Sequence, residues 1–215
     1  MSTMSEELSS VTHHLVGNLG PKAERLFAGQ IDRARDAGVD GRALTAGAKA
    51  PDFVLPDASG EPIRLGSQLE KGPVALVFYR GGWCPYCNIQ LRAMQRTLAK
   101  IRAAGADLVA ISPSTPDNSL DDREREALEF FVLSDSGNAV ARSYGLVYAV
   151  SPEAMQILNE AGRDIEAHNG VPGGELPVPA TYVVDGTGEI RFSDIRIDYR
   201  HRTDPKTVIE AIRNL

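Results

Sequence analysis

Cysteine is scarce in this 215-residue chain, which contains only two, three positions apart. A small secreted protein held together by disulfides would carry several dispersed cysteines, so that class of protein is excluded. In a reducing compartment, a close pair of this kind is usually catalytic or binds a metal. The sequence therefore indicates that the functional site lies at this pair of cysteines.

Long apolar runs and a surplus of basic residues are also missing. No stretch of about 18 apolar residues occurs, which excludes a membrane-spanning helix. The 23 basic residues are outnumbered by 29 acidic ones, for a net charge of -6, so a nucleic-acid surface is not expected. The N-terminal sequence lacks the basic and apolar segments of a secretory signal. We therefore expect a soluble cytoplasmic protein whose partners are small molecules or other proteins.

The periodicity of apolar residues divides the chain into two parts. Residues 1–43 carry apolar positions at helical spacing, with a break at Gly20-Pro21, which predicts two amphipathic helices. The stripe Leu8–Leu19 would pack on the core of the same chain, although a contact in a homodimer stays open. Residues 44–215 alternate short apolar runs with helical patterns. We therefore expect an N-terminal helical extension, 1–43, followed by an α/β domain, 44–215.

Within the second part, short apolar runs predict strands and longer periodic stretches predict helices. The predicted strands are 53–55, 63–65, 74–79, 108–111, 130–133 and a hairpin of 181–184 with 189–192. The predicted helices are 85–104, 120–127, 138–144, 152–165 and 203–215, the last with Thr203 as its cap. The run 74–79 is the strongest strand candidate and is expected to be central. The charge run 121–126 is interpreted as the solvated face of a surface helix.

The decisive segment is Trp83-Cys84-Pro85-Tyr86-Cys87, which follows the predicted central strand and a glycine turn and opens a helix. Free backbone N–H groups and the helix dipole stabilise an anion there, so Cys84 is expected to ionise readily and act as the nucleophile. Cys87 lies one turn further along the same face and is expected to be the more buried, resolving thiol. A zinc half-site would need two more Cys or His ligands, so neither metal nor cofactor is expected.

This dithiol in its strand-turn-helix context resembles the thioredoxin superfamily, and its Pro-Tyr pair is the one found in glutaredoxins. Residues 47–55, 131–135 and 139–145 are similar to segments of the peroxiredoxin-like branch, the alkyl hydroperoxide reductase and thiol-specific antioxidant family. The resemblance covers about residues 45–213. It implies an α/β protein with a thioredoxin-like fold, in which helices flank a central mixed β-sheet behind the N-terminal helical extension.

The active-site segment departs from the peroxiredoxin pattern. Peroxiredoxins carry Pro and Thr seven and three residues before the reactive cysteine, where this chain has Val77 and Gly81, and their late Arg would align near Pro179. Pro179 instead resembles the cis-proline that packs beside the dithiol of thioredoxins. A cis Val178-Pro179 bond is therefore expected, against the alternative of an ordinary trans proline. Thioredoxins often carry a buried acid six residues before the first cysteine, where this chain has Phe78.

The residues expected to bind substrate are Arg80, Trp83 and Pro179. Arg80, at the strand-to-helix turn, is best placed to stabilise the leaving oxygen of a peroxide, although a single arginine is more often solvated. Trp83 could shield the thiolate and dock a reductant, or simply pack against the turn, and Tyr86 could be exposed for substrate contact. The weaker cationic candidates are Arg196, Arg200 and Arg202.

The resemblance implies a thioredoxin-dependent peroxidase. A hydroperoxide would oxidise Cys84 to a sulfenic acid, which condenses with Cys87 to a disulfide that a thioredoxin- or glutaredoxin-type reductant reopens. Two alternatives stay open. One is a dithiol-disulfide oxidoreductase acting on protein disulfides, and the other is a binding module whose N-terminal helices move when the pair is oxidised.

Overall fold

The computed structural model describes residues 3–116 and 128–215, so the helix predicted at 120–127 and its charge run lie outside the described residues. The helices are α1 (Met4–Leu19), α2 (Pro21–Asp36), α3 (Val39–Arg42), α4 (Leu65–Leu69), α5 (Pro85–Ala103), α6 (Ala139–Ser143), α7 (Pro152–Glu160), α8 (Ile165–Asn169) and α9 (Pro205–Arg213). The strands are β1 (Val54–Pro56), β2 (Pro62–Arg64), β3 (Val74–Phe78), β4 (Asp107–Ser112), β5 (Phe131–Ser134), β6 (Val147–Ala149), β7 (Glu175–Pro177), β8 (Ala180–Val184) and β9 (Ile190–Ile195). None of the helices in these two ranges has the length and apolar character that crossing a bilayer requires.

The central sheet has five strands in the order β5-β4-β3-β8-β9. β3 pairs in parallel with β4, and β4 with β5, whereas β8 runs antiparallel to β3 and to β9. The predicted mixed sheet is thus confirmed. β3 is the middle strand of the five, and all five of its residues are buried, as its continuous apolar run predicts.

Side chains of β3 alternate between the two faces of the sheet. Ala75 and Val77 join the cluster on the α5 side, whereas Leu76 and Phe78 join the cluster on the opposite face, as the period of two in a strand dictates. The predicted stripe of α5 packs in the first cluster with Leu91, Met94, Leu98 and Ile101. The packing of this shared cluster therefore fixes the end of β3 relative to the start of α5.

The N-terminal helices pack on this same core. Leu8 of α1 and Phe27 of α2 are buried in the cluster that contains both cysteines. α2 begins at Pro21 after Gly20, which takes a positive φ of 54° and reverses the chain between the two helices. The stripe of α1 thus packs on the core of its own chain, as the sequence favoured.

Several details differ from the sequence-based expectation, which includes neither α3 nor α4 as a separate helix. The single helix predicted at 152–165 is α7 followed by α8, because Gly162 takes a φ of +71° between them and interrupts the helix. The region expected to be a loop contains β7, which pairs antiparallel with β6. α9 is capped by Asp204 rather than Thr203, because the Thr203 hydroxyl donates to Asp194 at 2.9 Å instead.

Candidate active site

The dithiol lies where β3 passes into α5. Cys84 is the N-cap of α5, and Pro85 occupies the first helical position, where no N–H is needed. The backbone N–H of Cys87 donates to the carbonyl of Cys84 at 3.0 Å, which starts the helix. Both thiols therefore lie in the first turn, at the positive end of the helix dipole.

Gly81 makes the turn before Cys84 possible. Its φ is +135°, and a Cβ here would lie 2.6 Å from Trp83 Nε1 and 2.7 Å from Ser114 Oγ. Its carbonyl accepts the N–H of Cys84 at 3.1 Å, which closes the turn. Only glycine combines this backbone conformation with the lack of a side chain.

Both cysteines are free thiols and both are buried, with 1% of Cys84 and none of Cys87 exposed. Cys87 is thus the more buried of the two, as expected, but Cys84 is almost equally inaccessible. Leu8 and Phe27 of the N-terminal helices belong to the same buried cluster as both thiols, so these helices contribute to the core in which the thiols lie.

Arg80 follows β3 directly, and its side chain is buried, with 2% exposed. Its guanidinium carbon lies 4.0 Å from the centre of the Tyr199 ring and 5.0 Å from that of Trp83, an arrangement that favours the cation. Its Nη2 donates to the side-chain oxygen of Gln30, and its Nε has no hydrogen-bond partner among the described residues. Its positive charge acts on Cys84.

Arg202 supplies a second buried cation. Its Nη2 donates to Cys87 Sγ at 3.3 Å, while Nη1 donates to the carbonyls of Tyr199 and His201. The sequence makes Arg202 a weaker candidate than Arg80, yet Arg202 contacts Cys87 directly. Among the described residues, neither guanidinium forms an ion pair with a carboxylate, so both charges are left for the sulfurs.

The two thiols have opposite ionisation behaviour. Burial by itself would raise the pKa of Cys84, but hydrogen bonding from Cys87 and the charges of Arg80 and Arg202 outweigh it and hold that pKa well below its usual value. Burial raises the pKa of Cys87 well above its usual value, and the adjoining Cys84 thiolate raises it further. At rest Cys84 is therefore a thiolate, and Cys87 keeps its proton.

Three polar side chains that sequence reasoning missed complete the site. The Tyr148 hydroxyl of β6 donates to Gln30 Oε1 at 3.1 Å, and Gln30 Nε2 donates to the Tyr199 hydroxyl at 3.3 Å. A signal for Gln30 exists, because it lies on the buried face of α2 between Phe27 and Ala34, where an apolar residue is the rule. No pattern in the sequence singles out the two tyrosines.

The Val178-Pro179 bond is trans, so the expected cis-proline is wrong. The chain is extended on both sides of this bond, since Val178 N–H donates to the Leu146 carbonyl at 2.9 Å and the Pro179 carbonyl accepts from Arg196 N–H at 2.8 Å. A trans bond suits this pairing. Pro179 directly precedes β8, beside β3, and so lies at the end of the sheet where the dithiol turn begins.

The other aromatic and cationic candidates are distributed around this centre. Trp83 is half-buried, and its indole Nε1 has no hydrogen-bond partner among the described residues. Tyr86, considered for exposed substrate contact, is only 1% exposed, because its hydroxyl hydrogen-bonds to Thr12 of α1 at 3.0 Å. Arg196 and Arg200 each pair with a neighbouring aspartate at 2.7 Å.

The chemistry available here is that of a thiolate. Within residues 3–116 and 128–215, no three His, Cys, Asp or Glu side chains come together as a metal site. A low-pKa thiolate beside two cations can attack an electrophilic oxygen or sulfur, and the cations stabilise the anion that departs. Hydroperoxides and disulfides both meet this description.

Comparison with known proteins identifies relatives. The model of the AhpC/TSA family matches residues 46–193. Peroxiredoxin Q of Sedum lineare is 33% identical over 149 residues, which are 69% of this chain and 68% of that protein. Peroxiredoxin Bcp of Escherichia coli K12 is 32% identical over 103 residues, 48% of this chain and 65% of the relative. The matches thus span about two thirds of these relatives' own lengths.

Solved structures agree on the fold. Peroxidoxin BcpB from Mycobacterium tuberculosis superimposes with a TM-score of 0.62 at 22% identity, covering 80% of this chain and 98% of that one. Peroxiredoxin Q from Xanthomonas campestris gives a TM-score of 0.60 at 14% identity, covering 79% and 97%. Both comparisons match most of the described architecture.

Proposed function

The chain belongs to the AhpC/TSA family, and from that membership we propose that it is a thiol-dependent peroxidase that reduces hydrogen peroxide or organic hydroperoxides. The observation that carries the proposal is a pair of buried arginines beside a thiol whose pKa is lowered, neither of which forms an ion pair with a carboxylate among the described residues. Such a site stabilises the thiolate before the reaction and an oxyanion during it.

In the first step, the Cys84 thiolate attacks one oxygen of the hydroperoxide. An S–O bond forms while the O–O bond breaks, so the sulfur loses two electrons and the second oxygen leaves as hydroxide or alkoxide. Arg80 and Arg202 lower the energy of that departing anion, which becomes water or an alcohol on taking a proton. Cys84 is left as a sulfenic acid.

In the second step, Cys87 resolves the sulfenic acid. Its sulfur attacks Cys84 Sγ, an S–S bond forms, and the hydroxyl of the sulfenic acid leaves with the Cys87 proton as water. Arg202, at 3.3 Å from Cys87 Sγ, stabilises the thiolate that develops during this attack. A thioredoxin- or glutaredoxin-type dithiol then supplies two electrons and restores both thiols.

The burial of both sulfurs affects the last step, the reduction of the disulfide by a protein reductant. With 1% or less of either cysteine exposed, a protein reductant reaches the disulfide only after the covering residues separate. Leu8 and Phe27, from the N-terminal helices, are among those residues. Trp83 is half-buried at the edge of the turn, and we place the docking face of the reductant there.

Steady-state peroxide consumption, coupled to a thioredoxin and its reductase, tests the proposal. We expect turnover with hydrogen peroxide or an organic hydroperoxide, and loss of it in Cys84→Ser. The same preparations are assayed for reduction of insulin disulfides. An absence of peroxide turnover above background would refute the peroxidase, and faster insulin reduction would favour the dithiol-disulfide oxidoreductase. The expected cytoplasmic location and the homodimer stay predictions, for cell fractionation and sedimentation to test.

A further inference from the structure

Gln30 is a buried polar residue on a helix face that is otherwise apolar. It is 1% exposed and lies in α2, part of the N-terminal helical extension, fifty residues before Arg80. The neighbours on its face, such as Phe27 and Ala34, are buried hydrophobic residues. A buried amide at such a position is costly unless every polar atom is satisfied.

All four hydrogen-bonding positions of this amide are used. Its oxygen accepts from Arg80 Nη2 and from the Tyr148 hydroxyl at 3.1 Å. Its nitrogen donates to the Tyr199 hydroxyl at 3.3 Å and to the Leu26 carbonyl at 3.4 Å. The complete set fixes which end of the amide faces Arg80, because a flipped amide would set its N–H donors against the guanidinium.

The partner of a buried arginine is usually a carboxylate, and here it is neutral. A glutamate in the same place would neutralise Arg80 and remove the attraction it exerts on an anion nearby. Among the described residues, the titratable groups that act on Arg80 or Cys84 include Cys87, Tyr86, Tyr148, Tyr199 and Arg202, and none of these is a carboxylate. Burial raises the pKa of Tyr148, which keeps its hydroxyl protonated as a donor.

We propose that Gln30 is a positioning residue of the active site: its neutral amide holds the Arg80 guanidinium in place while leaving the full positive charge available to Cys84. The N-terminal helical extension thereby becomes part of the chemical machinery. The inference deepens the proposed function and rests on it for its kinetic consequence only, because the charge on Cys84 is measurable without any peroxide.

The test compares Gln30→Glu, which keeps the shape and adds a negative charge, with Gln30→Met, which keeps the volume and removes both donor and acceptor. The ultraviolet absorbance of the thiolate is followed against pH on the full chain. The midpoint of ionisation should rise by about one pH unit in Gln30→Glu and by less in Gln30→Met. Gln156→Glu, an equivalent change at an exposed position of α7, is the matched control and should leave the midpoint unchanged.

Peroxide kinetics on the same proteins separate the two proposals. At a pH below the midpoint, the second-order rate of Cys84 oxidation should fall about tenfold in Gln30→Glu, in step with the thiolate fraction. The inference is overturned if Gln30→Glu folds and keeps the wild-type midpoint. If Gln30→Glu fails to fold, an unchanged midpoint in Gln30→Met overturns it instead. A shifted midpoint in a protein without peroxide turnover would instead refute the proposed function and leave the role of Gln30 standing.

Discussion

Replacing Arg202 by methionine separates the two chemical steps. Arg202 Nη2 lies 3.3 Å from Cys87 Sγ, and both groups are buried. A hydrogen bond to a charged group contributes about 1.5 to 3 kcal/mol, and each 1.36 kcal/mol corresponds to a factor of about ten in rate. If that bond strengthens as Cys87 becomes a thiolate, its loss should slow disulfide formation by about tenfold to a hundredfold.

Tryptophan fluorescence in a stopped-flow instrument resolves the steps. Trp83 is the only tryptophan in the chain, and its ring lies against Arg80, one residue from Cys84. Oxidation of Cys84 appears as a phase whose rate depends on peroxide concentration, and disulfide formation as a phase that does not. Arg202→Met should slow the second phase most, because Arg80 still stabilises the Cys84 thiolate. Arg202→Lys, which keeps the charge, should recover part of the rate.

The control is Arg196→Met, which removes a guanidinium from the same segment but one that pairs with Asp194. It should leave both phases near their wild-type rates. Arg202 also donates to the carbonyls of Tyr199 and His201, so it could act by holding that segment in place. Equal slowing of both phases in Arg202→Met, with no recovery in Arg202→Lys, would refute an electrostatic role in resolution.

Three further outcomes are expected. Cys87→Ser should consume one equivalent of peroxide and then stop as a Cys84 sulfenic acid, which mass spectrometry detects as one added oxygen. Sustained turnover with the thioredoxin system would show that Cys87 is not the resolving thiol. Because the pKa of Cys84 lies well below its usual value, the oxidation rate should fall only as the pH drops through that lowered pKa; a rate still rising up to about pH 8.5, where an ordinary thiol ionises, would contradict it. Gly81→Ala should lower the free energy of unfolding in urea by about 1 to 3 kcal/mol, because a Cβ there would lie 2.6 Å from Trp83 Nε1 and 2.7 Å from Ser114 Oγ. An unchanged free energy of unfolding would mean that the turn can adopt other conformations.

The local part of this site could be predicted from sequence because its determinants are local. A continuous apolar run followed by glycines and a proline fixes β3, the turn and the start of α5, and these place Cys84, Cys87 and Arg80 together. Gln30 and Arg202 reach the same point from α2 and from the segment before α9. Their positions depend on how distant helices pack, which no periodicity within one segment encodes.

The cis-proline expectation and the missing strands failed for a related reason. The cis prediction for Pro179 rests on resemblance. The backbone around this bond is instead set by two hydrogen bonds, from Val178 N–H to the Leu146 carbonyl and from Arg196 N–H to the Pro179 carbonyl. β6 and β7 have three residues each and form a two-stranded sheet in the described part of the chain. Such short strands carry too little periodicity to distinguish them from loop, so the partner strand decides their conformation.

Two of the three departures from the peroxiredoxin pattern, Val77 and Gly81, suit the local backbone better than the proline and threonine of that pattern would. Val77 lies in the middle of β3, paired with Ala110 on one side and Thr181 on the other, where a proline would remove a donor from a central strand. A threonine at Gly81 would have to take a φ of +135° with its Cβ inside contact distance of Trp83. A threonine at this position would therefore require Trp83 or the turn itself to shift. Because an oxyanion is stabilised by any cation held at the right place, arginines from other segments can meet the same demand.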